Sequence, residues 1–191
     1  MNYLKSSVAG VLLALATSSA WGQAGPEATH DDYVRLLKAT KYLESFKQTA
    51  AVSARVASAR GQGSDPEYAR FMNVVATADL SDAEGCLADV YATQSMEQEQ
   101  AQTLIEFFES PLGGKFLEHS QRMFMADVER GSHEPLPTDT FSEAEKAQIA
   151  ELQQDAAFVK YGQIVSNKDV WAGMMKCIMD AAAVKKAGIK Q

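Results

Sequence analysis

The histidines of this sequence are the first side chains whose type could support metal binding or acid–base chemistry. They are His30, His119 and His133. None has a second histidine at the spacing of a metal site. Glu118 and His119 are adjacent, so they point to different sides of a helix and do not form a pair. The spacing favours solvated or packed histidines over a catalytic or metal-binding role.

Methionine and glutamate are the other side chains that could bind a metal or take part in catalysis. Thioethers can hold Cu(I) in an exported protein, but methionine also fills irregular gaps in protein cores. Met123 and Met125 are two residues apart and do not share a helix face, which favours core packing. Five methionines lie in two of the predicted helices, and they are Met123, Met125, Met174, Met175 and Met179.

Glu106 and Glu109 are three residues apart and share a helix face, so they form a carboxylate pair of the kind that glycoside hydrolases use. Charged faces of amphipathic helices are, however, usually just solvated. The sequence contains no glycine-rich phosphate loop, no G-x-S-x-G elbow and no Cys/His pair for nucleophilic catalysis. We therefore expect no catalytic residue, no metal site and no cofactor.

The first 22 residues have the pattern of a secretory signal peptide. Lys5 supplies a positive charge, and residues 8–16 form an apolar run that is too short to span a bilayer. Small residues follow, so we expect cleavage between residues 20 and 24 and a flexible segment at 23–29. The alternative is a tail anchored by an uncleaved helix. The pattern predicts a periplasmic or secreted protein.

Charge and length limit the classes of partner and the number of domains. The chain has 191 residues and a formal net charge of −7, and losing Lys5 with the leader would make it −8. An acidic chain without a basic cluster argues against binding to nucleic acid or to an anionic membrane surface. The mature chain of about 170 residues suits one domain with a hydrophobic core.

Cys86 and Cys177 are the only cysteines, and in an exported chain an even number predicts a disulfide. The alternatives are a metal pair or a reactive thiol. Two cysteines without a nearby histidine make a poor zinc site, so we predict the disulfide.

The helix signals predict an all-α domain of about seven or eight helices over residues 30–191. No stretch alternates polar and apolar residues long enough to form a strand. A loop is predicted at 131–140, which contains two prolines and a glycine. The predicted helix starts have capping residues, which except at Asn167 are followed by a partner three residues later or by proline. They lie at Thr29, Asp65–Pro66, Ser81, Ser95, Ser142 and Asn167.

Two predicted helices also show how apolar residues repeat at helical spacing. The helix from Tyr42 to about Ala59 carries Leu43 and Phe46 on its apolar side, and glycines at 61 and 63 end it. The helix after Pro66 carries its large apolar residues on one side. They are Tyr68, Phe71, Met72 and Val75.

The most specific local signal is the corner Ser110-Pro111-Leu112-Gly113-Gly114, within a helix pair at about 95–130. Pro111 disfavours helical geometry at Ser110, which ends one helix, while Ser110 can cap the next helix. Gly113 and Gly114 each cost about 1 kcal/mol of helix propensity. We predict that they are retained because two helix backbones approach closely there.

This corner carries a family resemblance. Residues 107–115, Phe-Phe-Glu-Ser-Pro-Leu-Gly-Gly-Lys, resemble the Phe-Tyr-x-Ser-Pro-x-Gly-x-Lys signature of the domain of unknown function 2059 family. Phe108 replaces the usual tyrosine, and Lys115 matches the signature's lysine. Members of that family are typically exported bacterial proteins of helical character. The resemblance therefore implies a fold and a compartment, and it implies no activity and no catalytic residue.

These patterns together predict a non-enzymatic protein-binding module of the periplasm. The expected partner is a protein whose identity the sequence does not indicate. One alternative is a periplasmic inhibitor or immunity protein that blocks an exported toxin or wall enzyme. The other is a copper carrier or hydrolase that uses the methionine or glutamate groups. Glu106, Glu109 and the loop at 131–140 are candidate contact surfaces.

Overall fold

The structure, a computed structural model, describes residues 25–59, 66–130 and 140–182. These residues form nine α-helices and no strand, so the all-α prediction is confirmed. The helices are α1 (His30–Ala39), α2 (Tyr42–Ala59), α3 (Pro66–Thr77), α4 (Ala83–Ala92), α5 (Gln98–Glu109), α6 (Pro111–Arg130), α7 (Glu143–Leu152), α8 (Ala156–Ser166) and α9 (Lys168–Ala181). No helix of the described ranges is both long enough and apolar enough to cross a membrane.

Several sequence predictions fall outside the described residues. They are the signal peptide, Asp65 as a cap, the glycines at 61 and 63, and residues 131–139 of the predicted loop, with His133.

The helix count is higher than the sequence indicates because the helix expected from Ser142 onward breaks at residues 153–155. Asp155 caps the start of α8, since its Oδ1 accepts a hydrogen bond of 2.7 Å from the amide of Ala157. An aspartate that caps a helix start competes with continuation of the preceding helix.

The helix starts at Thr29, Ser142 and Asn167 are as predicted. Thr29 and Asp32 form a full capping box, and Ser142 forms another with Glu145. Asn167 Oδ1 accepts a hydrogen bond of 2.8 Å from the amide of Asp169 at the start of α9.

The predicted capping boxes at Ser81 and Ser95 are wrong. The amide of Ser81 donates to the Asp79 carboxylate at 3.0 Å, so a turn leads into α4 and its cap residue makes no side-chain bond. Ser95 has φ 46°, a left-handed conformation that a helix cap does not adopt. The box of α5 lies two residues later, where Gln100 Oε1 accepts from the amide of Glu97 at 3.2 Å.

The described part of the N-terminal segment is fastened to the start of α5. The amide of Ala28 donates to the carbonyl of Met96, and the amide of Gln98 donates to the carbonyl of Pro26, both at 2.8 Å. The buried Tyr33 hydroxyl accepts from the amide of Met96 at 2.9 Å. These bonds hold α1 against the centre of the domain, where Leu36, Leu87 and Leu104 are fully buried.

The predicted disulfide between Cys86 and Cys177 is confirmed and joins α4 to α9, with their Cα atoms 5.7 Å apart. The same two helices pack closely at Gly173, where an added Cβ would lie 3.1 Å from both methyl groups of Val90. The last helix is therefore held to α4 by a covalent bond and by close packing.

The glycine prediction at the corner is right for Gly113 and wrong for Gly114. A Cβ on Gly113 would lie 2.7 Å from the carbonyl carbon of Phe107 and closer still to its oxygen, so α5 and α6 meet there backbone to backbone. A Cβ on Gly114 would meet no atom within 4 Å. Ser110 caps α6 as predicted, since its Oγ accepts from the amide of Gly113 at 3.0 Å.

Lys115, the last residue of the corner motif, fastens α7 to α6. Its ammonium donates to both carboxylate oxygens of Glu145 at 2.9 Å and lies 5.3 Å from the centre of the Phe141 ring. Phe141 is buried and also meets the ring of His119 edge to face. This contact gives the motif lysine a structural role that its sequence position does not indicate.

The Lys115–Glu145 pair should make stability depend on pH only in acid. Lys115, with further hydrogen bonds from Ser142, lowers the pKa of Glu145 from 4.5 to about 2. Because the folded pKa is the lower one, the stabilisation is complete above pH 4.5 and is lost as the pH falls from 4.5 to about 2. In urea titrations, Glu145→Gln should be less stable than the wild type above this window and should converge with it at the acid end.

The control for this prediction is Glu143→Gln. The Glu143 side chain is 90% exposed and pairs with Lys146 within α7, and such exposed pairs contribute little to stability. A stability deficit of Glu145→Gln that stayed constant across the acid window would show that the ion pair is not its source.

Candidate functional site

An apolar groove with a volume of 790 Å³ is the candidate functional site. Volumes of this size are typical of ligand pockets. Most of its lining comes from α2, α3 and α6, and α8 and α9 complete it. The lining residues are Thr40, Tyr42, Ser45, Phe46, Thr49, Ser53, Tyr68, Phe71, Met72, Leu117, Ser120, Gln121, Phe124, Val128, Tyr161, Trp171 and Met175. These residues define the apolar groove.

Side-chain contacts set the direction of two of these helices. Gln121 of α6 donates to Gln48 of α2, and Arg55 of α2 pairs with Glu129 of α6. The contacts advance together along both helices, so α2 and α6 run in the same direction. The early part of α2 lies near the end of α3, which makes α2 and α3 antiparallel.

Among the residues that the structure describes, no charged side chain lines the apolar groove, although 23% of the residues of the chain are charged. Two other described hollows differ in this respect. Arg55 and Arg70 line the hollow between α2 and α3, and Glu44 and Lys47 are among the residues that line the second. The apolar groove therefore suits an uncharged ligand surface, because burying an unpaired charge against it would cost free energy.

Three of the large apolar side chains of the groove are exposed to solvent. Trp171 is 58% exposed, Phe124 54% and Tyr68 44%. Single exposed apolar residues are common on protein surfaces, whereas clusters of them are rare. Such clusters mark interaction sites. We therefore place these three residues at the mouth of the apolar groove.

Tyrosine hydroxyls supply the polar groups near one end of the groove. Burial raises the pKa of Tyr42 and of Tyr161, and both line the groove. Burial also raises the pKa of Tyr91, which lies behind them in the core with its hydroxyl enclosed and without a well-formed hydrogen bond within the described residues. These phenols stay neutral in ordinary buffers, so the two tyrosines offer the groove hydroxyl groups and no charge.

The corner motif holds part of this site. The ring centre of Phe108 lies 5.7 Å from that of Tyr161, and Phe107 packs edge to face against Phe108 and Phe158 at 5.1 and 5.0 Å. Such ring pairs contribute about 0.5–1.5 kcal/mol beyond the area they bury. The two phenylalanines of the motif thus fix the position of Tyr161 in the groove.

None of the histidine and glutamate candidates that the structure describes lines the groove. His30 lies at the surface of α1, with Nε2 3.5 Å from Asp89 Oδ1, and His119 packs against Phe141. Glu106 and Glu109 are exposed on α5. Within the described ranges, no group of three or more His, Cys, Asp or Glu side chains is arranged to hold a metal ion.

The methionines divide between the core and the groove. Met174 is buried in the core, whereas the adjacent Met175 lines the groove. Met123, Met125 and Met179 are partly buried. Core packing is confirmed for Met174.

Sequence reasoning missed the groove itself. Tyr68, Phe71 and Met72 were predicted to lie on one side of their helix with Val75, and only Val75 is fully buried. The sequence signal that could have indicated the groove is a stripe on α2 in which aromatic and hydroxyl residues recur at helical spacing and none is charged. It comprises Tyr42, Ser45, Phe46, Thr49 and Ser53.

Comparisons with known proteins found no matching family model, no matching curated protein and no matching solved structure.

Proposed function

We propose that this protein is a non-enzymatic protein-binding module of the periplasm that acts through the apolar groove. The observation that carries the proposal is a groove with a volume of 790 Å³ whose described lining residues include no charged side chain, with three half-exposed aromatic residues at its mouth. Aromatic residues and methionine are enriched in the cores of protein interfaces, where charge is depleted.

The proposed compartment rests on the sequence and on the disulfide. The leader-like pattern around Lys5 supports export, and a disulfide persists in oxidising compartments such as the periplasm. The resemblance of residues 107–115 to the domain of unknown function 2059 family agrees with both features. The partner is a protein of the same compartment.

Lysine substitutions at the mouth of the groove test the proposal. Phe124→Lys and Trp171→Lys each put a charge into an uncharged surface at a position that is already half exposed. The fold should be affected by less than about 1 kcal/mol, as is usual for surface positions. In quantitative capture experiments from envelope extract, each variant should lose at least about 90% of the partner that the wild type retains, a tenfold weakening.

Val159→Lys is the matched control. Val159 is 47% exposed on α8 and does not line the groove, so the same change there should leave capture unchanged. If all three variants captured the same proteins in the same amounts, the groove would not be the binding surface and the proposal would fail.

A further inference from the structure

We propose that the apolar groove receives an amphipathic α-helix of the partner protein, about three turns long, with no charge on its apolar face. This inference rests on the proposed function and specifies the structural element that the partner contributes. The groove dimensions, the residues along α2 and the charge distribution around the groove each support it.

The length of the groove matches a short helix. The residues of α2 that line it extend from Tyr42 to Ser53, and eleven residues of helix rise about 16 Å, or three turns. An apolar face with residues at i, i+3, i+4, i+7, i+8 and i+11 covers that distance. The lining residues of α2 follow the same spacing, so two helices of equal length can pack along each other.

Small side chains on α2 permit close approach of a second helix. Ser45, Thr49 and Ser53 line the groove at intervals of four residues, the spacing of one ridge on a helix surface. No hydrogen bond to the side chain of any of the three is formed within the described residues. A ridge of small hydroxyl residues leaves room for the larger apolar side chains of a packed helix.

The open mouth favours a helix over a lipid chain or a compact small molecule. The half-exposed side chains of Tyr68, Phe124 and Trp171 show that the groove does not close over its contents. An acyl chain lying there would keep apolar surface in contact with water, which is unfavourable. An amphipathic helix presents its polar face on that side.

The helices that line the groove also carry exposed charges. Glu44 of α2, Arg70 of α3 and Arg122 of α6 are exposed, and none of them is a lining residue. Charged residues are depleted at the centre of a protein interface. The partner helix should therefore carry its charges on the outward face.

The test measures binding of a fluorescein-labelled synthetic peptide of about sixteen residues to the full chain by anisotropy. The peptide carries leucines on one face and mixed neutral and charged residues on the other. Three outcomes are expected together: binding of this peptide, at least about tenfold weaker binding of a peptide with the same composition in scrambled order, and a similar loss when lysine replaces the central leucine. Phe124→Lys and Trp171→Lys should weaken binding by the same factor, and Val159→Lys should not.

Other outcomes would overturn this inference and separate it from the proposed function. Groove-dependent capture of an envelope protein without peptide binding would support the proposed function and contradict the inference that the partner contributes a helix. Groove-dependent binding of the neutral dye N-phenylnaphthylamine, again without peptide binding, would assign the groove to a small apolar ligand. Dimers of the wild type that Phe124→Lys abolishes would assign it to a second copy. Equal peptide binding by all variants would show that the peptide does not bind in the groove.

Discussion

Replacing Gly113 with alanine should destabilise the protein by about 3 kcal/mol or more, because the added Cβ would overlap the backbone of the preceding helix. The atoms that it meets are the carbonyl group of Phe107 and the Cα of Phe108, and neither is the end of a flexible side chain. The clash can be relieved only by moving α6 away from α5. That movement would weaken the ring contact of Phe107 in α5 with Phe116 in α6.

Gly114→Ala is the control for Gly113→Ala, since the two glycines are neighbours in the same helix. A Cβ on Gly114 meets open space, so alanine there should be neutral or stabilise the protein by up to about 1 kcal/mol through its better helix propensity. Urea unfolding of both variants, followed by circular dichroism, gives the comparison. Equal stability of the two variants would show that the backbone contact at Gly113 is not tight.

Removal of the disulfide should lower the free energy of unfolding by about 4–5 kcal/mol, the value of the chain-entropy model for a closed loop of this size. Cys86 and Cys177 are 91 residues apart, so the bond restricts much of the unfolded chain. The Cys86→Ser/Cys177→Ser double variant and the wild type with reductant should both show this loss in urea unfolding. Reductant should have no further effect on the double variant.

The same variant should bind less of the captured partner at temperatures where it is still folded. Trp171 and Met175 line the groove from α9, and Cys177 of the same helix is bonded to α4. Looser attachment of α9 would place the side chains of Trp171 and Met175 less precisely in the groove.

Two outcomes would contradict the predicted stabilisation by the disulfide. One is wild-type protein that contains two free thiols by mass, and the other is wild-type protein that unfolds identically with and without reductant.

Signals that act within a few residues made much of the fold predictable. Thr29, Ser142 and Asn167 bond to amides two or three residues further along the chain, so the sequence contains both partners of each contact. The break at Ser110–Pro111 has the same local origin. The disulfide was predictable for another reason, since an exported chain with two cysteines has a single possible intramolecular pairing.

The capping errors show where such local signals fail. Ser81 and Ser95 have the residue types of a cap, but the chain enters α4 and α5 through turns. The turn before α5 includes Ser95 in a left-handed conformation, and the Met96 and Gln98 backbones bond to residues 26 and 28. Contacts with a segment some seventy residues away determine where α5 begins, and a pattern of four residues does not include them.

The groove was not predictable because helical periodicity shows which side of a helix is apolar, and not whether another helix covers it. On α3, Val75 is fully buried while Tyr68 is 44% exposed, although both belong to the same apolar side. The site also takes residues from five helices that are spread over most of the chain, from α2 to α9. Their arrangement depends on how the helices pack, as the position of Tyr161 against Phe108 illustrates.

The bond between Cys86 and Cys177 has a consequence for the order in which the molecule is completed. A chain that is synthesised from its N-terminus presents Cys86 first, and its partner follows 91 residues later. Helices α2, α3 and α6 have then already been synthesised, while Trp171 and Met175 are among the last groove residues to join them. The apolar groove is thus completed by the same late part of the chain that supplies the second cysteine of the disulfide, so a chain that ends before α9 has neither.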